Sequence, residues 1–327
     1  MKRSVIIGNG INIQFGESCS SSDIMERVIA GIQADKFTPL TENALSNDEQ
    51  IAILQGFVDI VNAIKEGKRV GQSEGLFMIF EVDRLRKYCP GEKYTITSVP
   101  IEDYFLIAEY FNNGFKSKDG EEVNEQNRKI IFTYLKQIIL DGIYNTGCIN
   151  EVYKQYYSKV GSYLDRFDHI FTTNYDYNIE QVVSDSSKVC HLHGEFDKLA
   201  PEYDTSSKYY SEHKDECDIH IKNMLPGMAH IYSNCIMSWS WLDKYGELIS
   251  EDFKDKVELF NSIEGQVEII GLAPTNDAHI FSMINCNERI KSIVYYYFSD
   301  QDRSEFQKVI HKPVTFKKVD KLWDSLK

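Results

Sequence analysis

The sequence predicts an α/β protein with a doubly wound parallel sheet that a large helical insertion interrupts. Short apolar runs typical of buried strands occur at the start of the chain and again after residue 168. In the last third of the chain, helical patterns alternate with these runs, as they do when helices cover both faces of a parallel sheet. A long stretch of helical period separates the first run from the second. We therefore expect a single domain over residues 1–327, with the helical insertion at about 35–165.

The elements before residue 165 are one strand and several helices. The first strand is expected at residues 4–7, which form a β-branched run. A helix is expected over 23–33, with Asp23 and Glu26 at the spacing of a capping box. A second capping box, Ser46-x-x-Glu49, begins the first long helix of the insertion. Further helical patterns cover residues 74–88, 101–111, 124–143 and 149–163.

After residue 165, strands and helices alternate. The expected strands are 168–173, 188–191, 266–270, 292–298 and 314–319. The expected helices are 177–183, 277–285 and 303–310. Residues 197–262 are rich in aromatic side chains and give no clear pattern. The tyrosines at 295–297 fall inside a predicted strand and are expected to be buried.

Composition and charge narrow the class of protein. The 36 basic and 50 acidic residues give a net charge of −14, which provides no long-range attraction to nucleic acid or anionic lipid. The seven cysteines never form a C-x-x-C pair, which is typical of a reducing compartment. No apolar run approaches the length of a membrane span. We expect a cytoplasmic protein that binds neither membranes nor, directly, nucleic acid.

Polar segments containing glycine, asparagine or histidine follow four of the predicted strands. Ligands of open parallel sheets bind outside the carboxyl ends of the strands, so four such segments at one edge predict a nucleotide site. The segments are Gly8-Asn9-Gly10-Ile11-Asn12, Thr172-Thr173-Asn174-Tyr175-Asp176, His191-Leu192-His193-Gly194 and Gly271-Leu272-Ala273-Pro274.

The glycines of the first segment have two interpretations. Gly8 and Gly10 would allow backbone amides to approach a diphosphate closely. The segment lacks the third glycine of the dinucleotide-binding fingerprint, so a purely structural turn is the alternative.

The second and third segments supply side chains for chemistry. Asn174 and Asp176 follow a strand and are either turn formers or ligands for ribose hydroxyls and water. His191 and His193 are two residues apart in an extended segment and therefore point to opposite faces. His193 is the candidate for the cleft, and His191 is expected in the core or behind the site.

These motifs resemble a known family. The sequence TTNYD followed by HLHG, after an amino-terminal GNG loop and before a strand that ends in Gly-Leu-Ala, is similar to the sirtuin-like fold, a Rossmann-like sheet. Within that fold the chain most resembles the bacterial sirtuin-like effectors that hydrolyse NAD in antiphage defence. The opening IIGNGINIQFGES also resembles the neighbouring abortive-infection AbiH family.

The resemblance implies a role for each motif. It makes Gly8 and Gly10 the phosphate loop, puts Asn174 and Asp176 at the nicotinamide ribose, and makes His193 the catalytic histidine. Gly271 and Ala273 would form the loop under the adenosine side, and Ser299 and Asp300 are candidates for the adenosine ribose. Asn9, Asn12 and Thr173 are also expected to bind the cofactor, as is Asp277, which lies in an Asp-x-His pattern at the start of a helix. NAD would be the substrate, and the catalytic residues would be His193 and Asn174.

The sequence differs from the pattern of the sirtuin deacylases at several positions, and these differences bear on whether the protein would hydrolyse NAD or deacylate proteins. The stretch after the glycine loop reads Glu-Ser-Cys-Ser-Ser, where deacylases have a phenylalanine and an arginine, and the four-cysteine zinc ribbon is missing. These differences favour an NAD glycohydrolase that yields nicotinamide and ADP-ribose or a cyclic product and causes abortive infection. A sensor that binds NAD or ADP-ribose without turnover and a protein deacylase are the alternatives. The resemblance also implies gating by a homo-oligomer or a partner protein.

No metal is predicted. His213-x3-Cys217-x2-His220 has the residue types of a zinc site, but a fourth ligand is not evident.

Overall fold

The computed structural model describes residues 3–17, 19–41, 45–67, 93–101, 103–104, 125–196, 204–215, 217–218, 251–274 and 277–327. Its centre is one sheet of six parallel strands in the order β3-β2-β1-β4-β5-β6. The strands are β1 (Ser4–Ile7), β2 (His169–Thr172), β3 (Val189–His191), β4 (Gly265–Ile270), β5 (Ile290–Tyr297) and β6 (Val314–Lys318). This order is that of the Rossmann sheet, whose direction of winding reverses between β1 and β4. The predicted α/β class and parallel sheet are confirmed.

The chain divides into two compact units. The first contains all six strands and consists of Met1–Cys19, Gly147–Glu195 and Cys235–Lys327. The second consists of Ser20–Thr146 and Phe196–Asn234, and its described elements are helical. The single domain with an insertion at about 35–165 stays a prediction.

Apolar side chains alternate between the two faces of the sheet in the first unit. Ile6 and Ile269 point to one face, where they pack with Phe281 and Phe306. Val5 lies in the other apolar cluster. The helices of this unit are α1 (Gly10–Phe15), α5 (Val160–Leu164), α7 (Glu251–Asn261), α8 (Ala278–Cys286), α9 (Asp300–Val309) and α10 (Val319–Leu326). Both faces are therefore covered, and each fully buried aliphatic side chain contributes about 1.5–3 kcal/mol.

The second unit contains the helices α2 (Ser21–Gln33), α3 (Asn47–Lys65), α4 (Glu125–Tyr144) and α6 (Lys208–Glu212). The capping box of Ser46 and Glu49 begins α3 as predicted. The capping box of α2 is formed by Ser20 and Asp23, so the predicted pairing of Asp23 with Glu26 is wrong. The helix starts two residues earlier because the Ser20 hydroxyl accepts the Asp23 N–H and the Asp23 carboxylate accepts the Ser20 N–H.

The helix predicted over 149–163 is wrong in its first half. Residues Asn145–Gln155 form a 3₁₀ segment, and an α-helix follows only at Val160. The side chain of Asn178 explains the difference. Its amide donates to Ile149 O (2.6 Å) and accepts from Tyr153 N–H (3.0 Å), which are the two groups that would bond to each other in an α-helix. A tertiary contact therefore replaces the local one.

The helix predicted over 177–183 is also wrong, since these residues form turns. The Asp176 carboxylate accepts the Asn178 N–H (2.9 Å), an Asx-turn that competes with helix formation. Helix α10 was not predicted, and α7 lies in the stretch that gave no pattern. The predicted helix 74–88 and most of the helix 101–111 lie outside the described residues.

Candidate functional site

The candidate site lies at the carboxyl edge of the sheet, around the point where the winding direction reverses. Because all the strands are parallel, the loops that follow β1, β2, β3 and β4 leave the sheet at the same edge. These loops contain the four polar segments that the sequence singled out. The first unit alone provides them all.

The glycines after β1 are required by the loop after β4. Gly8 N–H donates to Ile270 O (2.9 Å), and Gly10 N–H donates to Gly271 O (3.1 Å). A Cβ on Gly8 would lie 2.4 Å from Gly271 O, and one on Gly10 would lie 2.5 Å from Gly271 Cα. Gly271 itself has a φ of 71°, a conformation that favours glycine. Loop packing therefore accounts for all three glycines, and diphosphate binding stays a prediction.

Two polar residues near the first loop have structural contacts. Asn9 is exposed, and its side-chain amide donates to Cys19 O (2.9 Å) instead of capping α1. Asn12 is buried, and its amide donates to the Asp176 carboxylate (2.6 Å). The second contact ties the loop after β1 to the loop after β2.

Asp176 is the centre of a buried hydrogen-bond network. One carboxylate oxygen accepts from Asn12, and the other accepts from the side chain of Asn178 (2.5 Å) and from its N–H (2.9 Å). Burial raises the pKa of Asp176, and these hydrogen bonds oppose the rise. Both carboxylate oxygens are thus engaged by protein groups, and the predicted contact of Asp176 with ribose stays untested.

Changing Asn178 is expected to destabilise the fold strongly. In Asn178→Asp, a second carboxylate would face Asp176 and the donor to Ile149 O would be lost. We expect the free energy of unfolding at pH 7 to fall by about 4 kcal/mol. The loss should shrink toward pH 5, because a proton shared between two adjacent carboxylates relieves their repulsion. Urea denaturation at the two pH values checks this, and an equal loss at both would contradict it.

Asn174 differs from its neighbours because its side chain is buried without a partner. The residue is 5% exposed. Among the residues that the structure describes, neither Oδ1 nor Nδ2 of Asn174 has a hydrogen-bond partner. Buried polar atoms are nearly always satisfied, and leaving one unpaired costs about 1–3 kcal/mol. An amide in this state, at the edge where ligands of such sheets bind, indicates a ligand-binding role.

The backbone of Asn174 is held firmly, in contrast to its side chain. Its N–H donates to Thr172 Oγ1 (3.0 Å), and its carbonyl oxygen lies 2.7 Å from His191 Nδ1. The next backbone contact upstream, Thr173 N–H to Ile7 O (3.0 Å), fixes the loop to β1. Thr173 is itself buried.

His191 is buried, as expected for a core residue. Its Nε2 lies 2.6 Å from a carboxylate oxygen of Glu180. Burial lowers the pKa of His191, but the hydrogen bond and charge of Glu180 and the hydrogen bond to Asn174 O outweigh it, so the net shift is upward.

His193 has the opposite electrostatic environment. Its side chain is buried, and its ring centroid lies 6.5 Å from that of Tyr175 in the neighbouring loop. Burial, followed by the charge of Lys256, lowers the pKa of His193 to about 4. Near neutral pH the ring is therefore uncharged and able to accept a proton.

Lys256 holds the loop that carries both histidines. From α7 its ammonium donates to His191 O (2.8 Å) and to the Glu195 carboxylate (3.2 Å). The sequence analysis missed Lys256, Glu180 and Asn178. Lys256 is 65 residues from His191 along the chain, and no local signal links them.

The loop after β4 is closed by Asp277. Its carboxylate accepts the Ala273 N–H (2.9 Å) and does not cap α8. The capping geometry is absent because the side chain turns back toward its own loop. Asp300 is exposed in the first turn of α9, after β5, and the helix is capped by Ser299.

The described residues contain neither a candidate metal site nor a helix that could span a membrane. No group of three or more His, Cys, Asp or Glu side chains there could hold a metal ion. His220 of the predicted zinc pattern lies outside these ranges. No described helix has both the length and the apolar character needed to cross a bilayer.

The fold and this edge define the class of protein as a parallel α/β protein of Rossmann topology with a candidate ligand site at the reversal point. No protein-family model matches the chain, and no curated protein matches it. The geometry of the edge is therefore the basis of the functional argument.

Proposed function

We propose that the protein is an NAD glycohydrolase that cleaves NAD to nicotinamide and ADP-ribose or a cyclic product. The observation that supports this most directly is the buried amide of Asn174, which has no partner among the described residues and lies beside the loop of an uncharged histidine. Both lie at the edge of a sheet whose strand order is typical of dinucleotide-binding folds. The motifs that resemble sirtuin-like NAD hydrolases are the same segments.

The reaction mainly requires that the site orient the ribose and the attacking water and that it provide a proton acceptor. Breaking the bond between nicotinamide and C1′ of the ribose releases neutral nicotinamide and leaves oxocarbenium character on the sugar. Water then adds to C1′, and its proton passes to a base. In our proposal the Asn174 amide binds the ribose or the attacking water, and His193 accepts the proton.

The low pKa of His193 leads to a prediction for the pH profile. Protonation would remove the proton acceptor, so kcat/KM for NAD should fall only as the pH drops toward about 4. Nicotinamide release measured from pH 4 to pH 8, with circular dichroism at each pH to monitor folding, checks this. An acid limb centred near the usual histidine value of about 6.5 would contradict the assignment.

A single comparison separates the candidate activities. The full-length protein is incubated with NAD alone and with NAD plus an acetylated peptide, and nicotinamide is measured by chromatography. Release from NAD alone supports glycohydrolase activity, and release that requires the peptide supports a deacylase. Saturable binding of NAD with no product supports the sensor.

We further propose that activity depends on assembly and serves abortive infection in the cytoplasm. Unregulated NAD cleavage would poison the host cell, which favours gating by self-association or by a partner protein. Specific activity that rises with protein concentration supports self-association. Activity that appears only when the native partner is added supports a partner.

A further inference from the structure

The His191 ring lies between two hydrogen-bond acceptors. Nδ1 is 2.7 Å from the carbonyl oxygen of Asn174, and Nε2 is 2.6 Å from a carboxylate oxygen of Glu180. A carbonyl and an ionised carboxylate can only accept, so both ring nitrogens must carry a proton for both bonds to form. The geometry therefore indicates an imidazolium.

The charges around His191 favour this cation. Glu180 is in direct contact, and Glu195 and Asp176 add negative charge nearby. The positive charge of Lys256 is directed at the His191 carbonyl oxygen (2.8 Å). The Tyr177 ring meets the imidazole edge-on, with centroids 5.5 Å apart.

We propose that His191, anchored by Glu180, is a positioning residue that fixes the Asn174 peptide and thereby aims the Asn174 side-chain amide into the site. This inference rests on the proposed function. Two side chains, Thr172 and His191, bind the N–H and C=O of Asn174, so its backbone is fixed from both sides. Its side chain has no such restraint from the described residues and depends on the backbone for its direction.

Two substitutions of His191 separate its two hydrogen bonds. Asparagine carries its amide nitrogen near the position of histidine Nδ1, so His191→Asn retains the bond to Asn174 O and loses the bond to Glu180. Glutamine carries its amide nitrogen near Nε2, so His191→Gln retains the bond to Glu180 and loses the bond to Asn174 O. Both substitutions remove the positive charge of the imidazolium, so a difference between the two variants cannot come from the charge.

The two variants should differ in catalysis although they perturb the fold to a similar degree. We expect His191→Gln to lower kcat for nicotinamide release by about 100-fold, because a small misplacement of a substrate-binding group costs this much. His191→Asn should lose less than about tenfold. Urea denaturation compares their stabilities, and His311→Gln, an exposed histidine in the loop before β6, is the control for the histidine change. Equal losses of kcat in the two variants would overturn the inference.

A spectroscopic measurement tests the positioning independently of turnover. In protein labelled with ¹⁵N-asparagine and ¹⁵N-histidine, the Asn174 side-chain amide is assigned by its loss in Asn174→Ala. We expect this resonance to move in His191→Gln and to stay in place in His191→Asn, and both His191 nitrogens to be protonated at pH 7. An unmoved Asn174 resonance in His191→Gln would overturn the inference even if the wild-type protein cleaves NAD. A wild-type protein that releases no nicotinamide but shows these shifts would overturn the glycohydrolase proposal alone.

Discussion

Replacing Asn174 by alanine should abolish NAD cleavage while leaving the stability of the protein almost unchanged. The amide is buried and has no partner among the described residues, so its removal breaks no hydrogen bond to any of them. We expect the free energy of unfolding to change by less than about 1 kcal/mol, because the loss of an unsatisfied polar group offsets the small cavity. Nicotinamide release should fall by about 10³-fold, the size of effect seen when one oriented polar group is removed from a reaction centre.

Asn178→Ala is the matched control for Asn174→Ala. It removes the same side chain four residues away in the same loop, but this amide bonds to Ile149 O, Tyr153 N–H and Asp176. Its free energy of unfolding should fall by about 3 kcal/mol, since several buried groups lose their partners. Urea denaturation and the nicotinamide assay on both variants check the contrast. If Asn174→Ala were as unstable as Asn178→Ala, this result would contradict the proposed ligand-binding role of Asn174.

His193→Ala should lower nicotinamide release by about 10³-fold at pH 7, because the proton acceptor is removed. Imidazole added to the assay should restore part of the activity by accepting the proton in place of the missing ring. His311→Ala, which removes an exposed histidine from the loop before β6, should keep the wild-type rate. Retention of more than about a tenth of the activity by His193→Ala would remove the residue from the mechanism.

The strands could be predicted from the sequence because their signals are local. Ser4–Ile7 and Gly265–Ile270 are short, buried runs that contain β-branched residues. This composition by itself predicts buried parallel strands. Polar segments directly after such strands must meet at one edge, so the location of the candidate site also followed from the pattern. The capping box of Ser46 and Glu49 is another local signal that the structure confirms.

Some of the errors arose where a distant residue decides the local structure. The side chain of Asn178 bonds to Ile149 O and Tyr153 N–H, which would bond to each other in an α-helix. The periodicity of the sequence around residue 150 gives no sign of this contact. The glycines after β1 were compatible with a phosphate loop or a turn. Only the contact of Gly10 with Gly271, more than 250 residues away, shows why they are needed.

The pKa shifts of the two histidines could not be predicted from the sequence either. His191 and His193 lie two positions apart and share Leu192 as a neighbour. Burial acts to lower both pKa values. The contact with Glu180 outweighs burial for His191, whereas the charge of Lys256 lowers the pKa of His193 further. The alternation of side chains along an extended segment predicted that His191 and His193 face different surroundings. The groups that form those surroundings are known only from the structure.

The central claim is that the loops at the carboxyl edge of the sheet bind a dinucleotide through the Asn174 amide. A crystal structure of the His193→Ala variant soaked with NAD tests it most directly, because the variant is expected to leave the substrate intact. The account predicts a ribose hydroxyl or bound water within about 3.2 Å of the Asn174 side-chain amide, with the diphosphate at the same edge of the sheet. NAD bound elsewhere, or an Asn174 amide that still contacts no ligand atom in the complex, would contradict it.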